Sequence, residues 1–246
     1  MPFTFSHPAI VLPLNRLSKR WISMTGLIIG SMTPDFEYFI RMRVESIYSH
    51  TWLGLFWFDL PLGLMLTLVY QILVKDNLID NLPTGLNQRF SRFKGMYRNG
   101  YSLRYLVVIS LSVLLGALSH ILWDGFTHSD GYFVKLIPAL STIVQVGTDH
   151  LHIYKIIQHA STAIGGIIIA IVTYTLPLGI RTKNQHTRSF WVQIISVTII
   201  ILVIRLKTGL TLHEYGNIIV TIIAGGLLGL IIASAMANLL PPKKQN

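Results

Sequence analysis

Five long apolar stretches set the strongest limit on what this chain can fold into. They cover residues 52–74, 103–123, 154–176, 190–206 and 217–240. A helix needs about 20 consecutive apolar residues to cross the hydrocarbon core of a bilayer. The fourth stretch is the shortest and predicts local thinning of the bilayer. We therefore predict an all-α, polytopic membrane helical bundle with about five spans.

The composition agrees with a membrane environment. Hydrophobic residues make up 52% of the 246 residues and charged residues only 12%, whereas a soluble domain carries about a quarter charged residues. The net charge of +10 would favour nucleic acid in a soluble protein, but here the charges lie mostly in loops between apolar stretches. We expect membrane lipids, and no nucleic acid, as partners. The chain has no cysteine, so any metal must be held by His, Asp or Glu.

Basic residues predict the orientation of the bundle. They collect in 75–102, in 177–189 and in the tail at Lys243 and Lys244. With five spans these three regions share one side, which the positive-inside rule makes cytoplasmic. Residues 124–153 and 207–216 then lie outside. The start of the chain lacks the basic region of a signal peptide, and no repeat or linker divides the sequence, so we predict one integral membrane domain, 1–246.

The N-terminal region has two possible arrangements. Residues 8–33 are apolar but are interrupted by Arg16, Lys19 and Arg20. With five spans and an internal C-terminus, residues 1–50 lie outside as a re-entrant or interfacial helical hairpin. Alternatively, residues 21–40 span the membrane and the first twenty residues are cytoplasmic. The positive-inside rule favours the second arrangement, and the chemistry of the candidate site favours the first.

The run LSHILWDGFTHSDG at 118–131 carries the clearest chemical signal. His120, Asp124 and His128 are spaced at i, i+4 and i+8, so on a helix they share one stripe. Imidazole and carboxylate groups on one stripe are how a helix presents ligands to a metal ion. The alternative is a helix end with two polar histidines and a capping acid. We interpret the run as part of a metal site.

Three further candidates lie near the same predicted membrane face. Asp35 follows Pro34 at the end of an apolar stretch, where it either caps a helix or ligates a metal. His50 begins the first span and is either an interfacial polar residue or a ligand. His159 lies more than one turn into the third span and is either a packing residue or part of the site. Together with the stripe, these residues suggest two or three divalent ions with bound water.

Other ionisable residues have no assigned role. Asp59 lies deeper in the first span, where a charged group is costly and is often functional. It either serves the site or pairs with Arg41 or Arg104. His150 and His152 point the same way in an extended segment and apart in a helix.

Several segments resemble a known family. The segments MPFTFSHPAIVLPL, GSMTPDFEYF, SHTWLGLFWFDLPLG and SHILWDGFTHSDG are similar to bacterial membrane proteins grouped as domain-of-unknown-function family 4184. This resemblance implies a multi-pass protein of the bacterial cytoplasmic membrane and no established activity.

The order of the candidate ligands resembles that of bacterial zinc-dependent phospholipase C and related membrane-bound metal-dependent hydrolases. That resemblance implies that an N-terminal histidine belongs to the site and that the ligands follow in the order His7, Asp35, His50, His120, Asp124 and His128. Two features depart from the family pattern. The spacing from Asp124 to His128 is shorter, and no His-x3-Glu motif follows, so His159 is the candidate in its place.

The residues and the resemblance together predict a membrane-embedded metal-dependent hydrolase. Its substrate would be a phosphoester of a lipid or lipid-linked molecule, and its metal zinc or a similar divalent ion. Asp35 and His159 are the candidates for catalytic roles beside ligation, with His159 protonating the leaving group. The alternatives are a metal or proton transporter and a non-catalytic membrane scaffold with a structural metal.

Overall fold

The computed structural model describes residues 3–18, 20–95, 102–182 and 186–239, most of which are helical. The helices and strands, in chain order, are α1 (Pro8–Val11), α2 (Met24–Gly30), α3 (Phe36–Arg41), α4 (Leu55–Asn81), α5 (Thr84–Phe90), α6 (Leu103–Asp124), α7 (Tyr132–Leu136), β1 (Ile143–Val146), β2 (Asp149–His152), α8 (Ile153–Thr175), α9 (Thr187–Lys207) and α10 (Tyr215–Leu239). Single 3-10 turns cover Thr4–Ser6, Leu12–Arg16, Thr33–Asp35, Ser91–Phe93 and Pro138–Ser141. Helix α4 contains two π-helical segments, Leu55–Asp59 and Tyr70–Val74.

Five helices are long and apolar enough to cross a membrane, which confirms the predicted fold class. They are α4, α6, α8, α9 and α10, with 27, 22, 23, 21 and 25 residues. Four of them begin and end within three residues of the predicted spans. Helix α4 continues seven residues past the predicted end at 74, because polar residues of its last two turns bond within the protein. The Asn77 amide donates to the Ser234 carbonyl at 3.2 Å, for example.

The N-terminal region consists of short helices. Helices α2 and α3 are separated by the turn at Thr33–Asp35, and neither approaches the length of a span. The structure therefore shows no continuous helix over residues 21–40 of the kind that the alternative arrangement expects. The chain breaks there because Pro34 and the neighbouring turn end the helical pattern, so the N-terminal segment packs as short pieces.

The first compact unit comprises Met1–Asp35, Ile47–Thr67 and Tyr101–Val172. At its centre α2 packs against α6 so closely that two glycines are required. A Cβ atom on Gly30 would lie 2.3 Å from the Val113 carbonyl oxygen, and one on Gly116 would lie 2.4 Å from that of Leu27. This approach brings the end of α2 onto the face of α6 that carries His120.

A small antiparallel hairpin precedes α8 and was not predicted from the sequence. Strands β1 and β2 pair from Ile143 opposite His152 to Val146 opposite Asp149. The two-residue loop between them contains Gly147 with a φ of 63°, a conformation that glycine adopts without strain. The β-branched residues of IVQV, followed at once by Gly147, are a sequence signal for a strand and a turn.

The second compact unit comprises Phe36–Ser46, Leu68–Gly100 and Thr173–Asn246. Its main contact is the pairing of α9 with α10. The Cβ positions of Gly225 and Gly229 would lie 2.9 Å from the Cα atoms of Thr198 and Ile194, respectively. Small residues allow this close approach between membrane helices. None of the seven predicted site residues belongs to this unit.

The order of the spans generates a test of orientation. Helix α6 separates the segment that contains Thr84 from the segment that contains Ser129, and both residues are exposed. We expect an impermeant maleimide to label Ser129→Cys in intact cells and Thr84→Cys only after permeabilisation, because the basic loops are retained inside. The native chain has no cysteine and provides the blank. Labelling of Thr84→Cys alone in intact cells would reverse the orientation.

Candidate metal centre

Four buried or half-buried side chains of the first unit converge on one point. Asp35, His50, His120 and Asp124 each contribute one potential ligand atom, and these atoms all lie within 4.8 Å of one another. Asp35 and His120 are fully buried, and Asp124 is 5% exposed. They come from three places: the turn before α3, the loop before α4 and the last turns of α6. We refer to these four residues as the cluster.

The end of α6 supplies two of the four. His120 and Asp124 are one helical turn apart and therefore share a face, and the His120 Nε2 lies 3.3 Å from the Asp124 Oδ2. Past Asp124 the hydrogen bonds tighten, with the Thr127 amide donating to the Asp124 carbonyl at 3.0 Å. The helix therefore ends at the cluster and presents both groups from a rigid turn.

The His120 ring is oriented by the end of α2. Its Nδ1 lies 2.7 Å from the Ser31 carbonyl oxygen, and a carbonyl only accepts, so the Nδ1–H is the donor. In the neutral ring, the Nε2 then carries the lone pair, and this atom faces the cluster. A metal-binding histidine typically donates its other ring N–H to a carbonyl or carboxylate oxygen. This hydrogen bond fixes both the tautomer and the orientation of the ring.

Asp35 is held by a residue near the start of the chain. The Thr4 hydroxyl donates to the Asp35 Oδ2 at 2.5 Å, which leaves the Oδ1 facing the cluster. That oxygen lies 3.4 Å from the His120 Nε2 and 3.6 Å from the His50 Nε2. Burial alone would raise the Asp35 pKa, but His120 and His50 outweigh burial and hold that pKa below its usual range. Asp35 is therefore an ionised carboxylate.

The spacing in the cluster fits an ion better than hydrogen-bonded pairs. Four nitrogen-to-oxygen distances between the two histidines and the two aspartates are 3.3, 3.4, 3.5 and 3.6 Å. Hydrogen bonds between charged nitrogen and carboxylate groups are shorter, at about 2.7–2.9 Å. Zinc ligands at about 2.0–2.2 Å from the metal, arranged as a tetrahedron, are about 3.4 Å from one another.

Buried ligand atoms without hydrogen bonds support the same interpretation. Among the described residues, the Asp35 Oδ1, the His120 Nε2 and both side-chain oxygens of Asp124 are buried and have no hydrogen-bond partner. Buried polar atoms are normally satisfied, and an ion is one of the accepted explanations for an exception. The donor set of imidazole nitrogen and carboxylate oxygen suits zinc and similar divalent ions. The residues therefore fit a metal.

The structure brings His7 beside the cluster, as the predicted ligand order requires. Its Nε2 lies 3.6 Å from the Asp124 Oδ1, and its ring stacks on that of His120 with centroids 3.7 Å apart. Burial, and then the proximity of His120, lowers the pKa of His7 to about 3. His7 is therefore a neutral imidazole. The two oxygens of Asp124 face different histidines, with Oδ1 toward His7 and Oδ2 toward His50 and His120.

His128 lies at the rim of the cluster. Its Nδ1–H donates to the Asp124 carbonyl oxygen at 3.0 Å, and its side chain is 26% exposed. Burial lowers its pKa, partly opposed by Asp124. His128 is not one of the four converging residues. Because the Nδ1–H of His128 is hydrogen-bonded to a carbonyl oxygen, the Nε2 is the ring nitrogen that can bind a metal or transfer a proton.

The structure does not bring His159 to the cluster. This residue is exposed on the second turn of α8, and the part of the chain that the structure describes shows no contact between it and the four converging residues. Its predicted roles as a ligand and as an acid therefore have no geometric support. The reason is helical phase, since Gln158 is the buried residue of that turn.

His50 marks the side from which the cluster can be reached. Its side chain is 22% exposed, whereas His120 is fully buried. Burial lowers the pKa of His50, but the nearby carboxylates of Asp124 and Asp35 outweigh burial and raise that pKa above its usual value. The two carboxylates therefore favour a positive charge at this position.

Several polar residues lie away from the cluster. Asp59 is fully buried in the π-helical start of α4 but does not converge with the four ligand atoms. On the hairpin, the His152 Nδ1–H donates to the Ser141 carbonyl oxygen at 2.8 Å, and His150 is exposed.

Two residues that orient the ligands were missed by the sequence analysis. Thr4 gave no signal because a single threonine in a short apolar segment is uninformative. Ser31 acts through its backbone carbonyl, which no side-chain pattern can reveal.

Comparison with known proteins gives a family and no activity. A family model described as "Domain of unknown function (DUF4184)" matches residues 1–235. Neither the curated proteins nor the solved structures contain a significant match.

The contact between α2 and α6 provides the first test of this site. We expect Gly116→Ala to lower the free energy of unfolding by about 1–3 kcal/mol, as overpacking does, because the new Cβ would lie 2.4 Å from the Leu27 carbonyl oxygen. Metal affinity should fall as well, since Ser31 would shift from His120. The matched control is Gly166→Ala, whose Cβ meets nothing within 4 Å. Thermal unfolding and metal titration of both variants measure the effect, and equal behaviour would contradict the role of the contact.

Metal content tests the cluster itself. We expect Asp124→Asn to reduce bound metal from about one ion per chain to nearly none, because a neutral amide is a poor ligand for zinc. Asp149→Asn, an exposed aspartate on the hairpin, should retain the native amount. Elemental analysis of both purified variants provides the measurement. Full metal retention in Asp124→Asn would remove this residue from the site.

Proposed function

Because residues 1–235 match its model, the chain belongs to the DUF4184 family, and we propose that it is a membrane-embedded, metal-dependent hydrolase. The substrate class is a phosphoester of a lipid or lipid-linked molecule, and the metal is zinc or a similar divalent ion. The observation that carries the proposal is the convergence of Asp35, His50, His120 and Asp124 at the end of a helix long enough to cross a membrane.

The donor set favours catalysis by a hydrolytic metal. Zinc in catalytic sites is held by histidine and carboxylate groups and keeps a position for water or substrate. When bound, such an ion polarises a phosphoryl oxygen and lowers the pKa of water toward neutrality. In this chain, Asp35, His120 and Asp124 hold the buried side of the centre, while the partly exposed His50 lies where a substrate enters.

The rim residue His128 is the better candidate for proton transfer. Its ring is half-exposed beside Asp124, and its Nδ1 is held by a backbone carbonyl. The remaining Nε2 can donate a proton to a leaving group or accept one from water. In this assignment, Asp35 acts as a ligand, because the Thr4 hydroxyl occupies one of its oxygens and the cluster the other. His128 thus takes the role that the sequence suggested for His159.

A structural metal is the second candidate, and one observation favours it. The four distances near 3.4 Å between histidines and aspartates also suit a closed tetrahedral site, in which no position remains for water. A transport pathway has less support. Among the described residues, the cluster is the one group of histidine and acidic side chains spaced to hold a metal, so no second site continues a path.

A comparison of three histidine variants tests the proposal. We expect His120→Gln to lose both bound metal and hydrolysis of phospholipid in detergent. His128→Gln should keep its metal and lose about 100-fold or more in kcat, the scale of general acid–base catalysis. His150→Gln, on the exposed face of the hairpin, serves as the control and should match the native protein.

The outcomes separate the two candidate functions. Metal-dependent turnover that is lost in His120→Gln supports a hydrolase. A native protein that holds zinc tightly and hydrolyses neither phospholipids nor lipid-linked phosphates would favour the structural metal.

A further inference from the structure

An apolar groove adjoins the cluster within the first compact unit. It has a volume of about 360 Å³ and is bordered by the N-terminal helix α1, by the end of α6 and by α8 from Ile157 to Ile168. Its principal lining residues are His7, Ile10, Trp123, Ile157, Ile164 and Ile168. The volume lies in the range of about 300–1,000 Å³ that is typical of small-molecule sites.

The groove presents hydrocarbon along most of its length. Among the described residues, no lysine, arginine, aspartate or glutamate lines it. Its two serines are satisfied locally, because the Ser6 hydroxyl donates to the Phe3 carbonyl and the Ser161 hydroxyl to the Ile157 carbonyl. The hydrogen of each hydroxyl is therefore used within the protein, and the mostly apolar lining favours an apolar ligand.

The groove runs from the membrane boundary toward the middle of the bilayer. Helix α6 ends at Asp124 and α8 begins at Ile153, so two consecutive spans place both ends on one side. Ile157 lies about 6 Å along α8 from its start, and Ile168 about 16 Å further. Since the hydrocarbon core is about 30 Å thick, the groove follows the direction of an acyl chain from headgroup to tail.

His7 connects the groove with the cluster. It lines the groove, its ring stacks on His120, and its Nε2 lies 3.6 Å from the Asp124 Oδ1. Trp123 also lines the groove and directly precedes Asp124 in the sequence. A ligand in the groove therefore has its upper end beside the candidate metal centre.

We propose that this groove binds one acyl chain of a membrane glycerophospholipid and places the phosphate of that lipid at the cluster. This inference rests on the proposed function for the chemistry at the phosphate, whereas binding of the chain depends on the groove alone. The apolar lining selects a hydrocarbon chain, the depth of the groove matches the chain direction, and His7 sets the boundary between chain and headgroup.

A matched pair of substitutions on α8 isolates the groove. Ile164 and Ile167 are 56% and 58% exposed, but only Ile164 lines the groove. Ile164→Trp would fill the groove, whereas Ile167→Trp would add its ring outside the groove lining. Because both side chains are exposed, neither substitution disturbs a packed core. Equal metal content and equal thermal unfolding would verify that both variants are folded.

The experiment uses two phosphatidylglycerol probes with a diazirine in one acyl chain, added to the zinc-loaded full-length protein in detergent. We expect the probe with the diazirine near the ester to crosslink near Ile10 and Trp123, and the probe with the diazirine at the chain end to crosslink near Ile168. Ile164→Trp should reduce both signals by about tenfold, equivalent to about 1.4 kcal/mol of binding. Ile167→Trp should leave them unchanged.

The groove is not a lipid site if residues on the Ile167 side of α8 are crosslinked as strongly as the groove residues. The same conclusion follows if crosslinking persists in Ile164→Trp. The same samples are assayed for phosphatidylglycerol hydrolysis. Position-specific crosslinking without hydrolysis supports the groove and counts against the hydrolase. Hydrolysis with unspecific crosslinking supports the hydrolase and overturns the groove.

Discussion

Two carboxylates buried side by side, Asp35 and Asp124, are the constraint on which the rest of the site depends. A buried charge without a partner costs several kcal/mol. Among the described residues, the ion-pair partners of these two carboxylates are histidines alone. His7 is neutral, since burial lowers its pKa to about 3. The ring nitrogens of His50 and His120 lie 3.3–3.6 Å from the carboxylate oxygens, which is longer than a charge-assisted hydrogen bond of about 2.7–2.9 Å. A divalent cation held between them is the arrangement that these groups fit best.

The surrounding structure explains how such a centre is positioned next to lipid. The tight contact at Gly30 and Gly116 brings the Ser31 carbonyl to His120, and Thr4 fixes Asp35 from the N-terminal segment. The ligands thus come from short N-terminal elements and from the end of one spanning helix, which places the centre at a membrane boundary. The apolar groove leads inward from that boundary. The proposed headgroup site therefore lies at the polar surface of the bilayer, and the proposed chain site lies in its hydrocarbon core.

The sequence predicted the spans well because length and apolar composition are local properties. It failed at the end of α4, where Asn77 is satisfied by another helix. The site was predicted less completely. His120 and Asp124 share a helical stripe that can be read from spacing, whereas the inclusion of His7 depended on a resemblance in ligand order. His159 lies on an exposed face of α8, away from the cluster, because helical phase decides which face is buried. Ser31 acts through its backbone carbonyl, which leaves no pattern in the sequence.

X-ray absorption at the zinc edge tests the central claim most directly, namely that the cluster holds a metal ion. The protein would be loaded with one equivalent of zinc and freed of unbound metal by gel filtration. The account predicts retained zinc with only nitrogen and oxygen neighbours at about 2.0–2.2 Å, together with the scattering pattern of at least two imidazoles, from His50 and His120. Zinc that is lost during filtration, or retained zinc without imidazole scattering, would contradict the account.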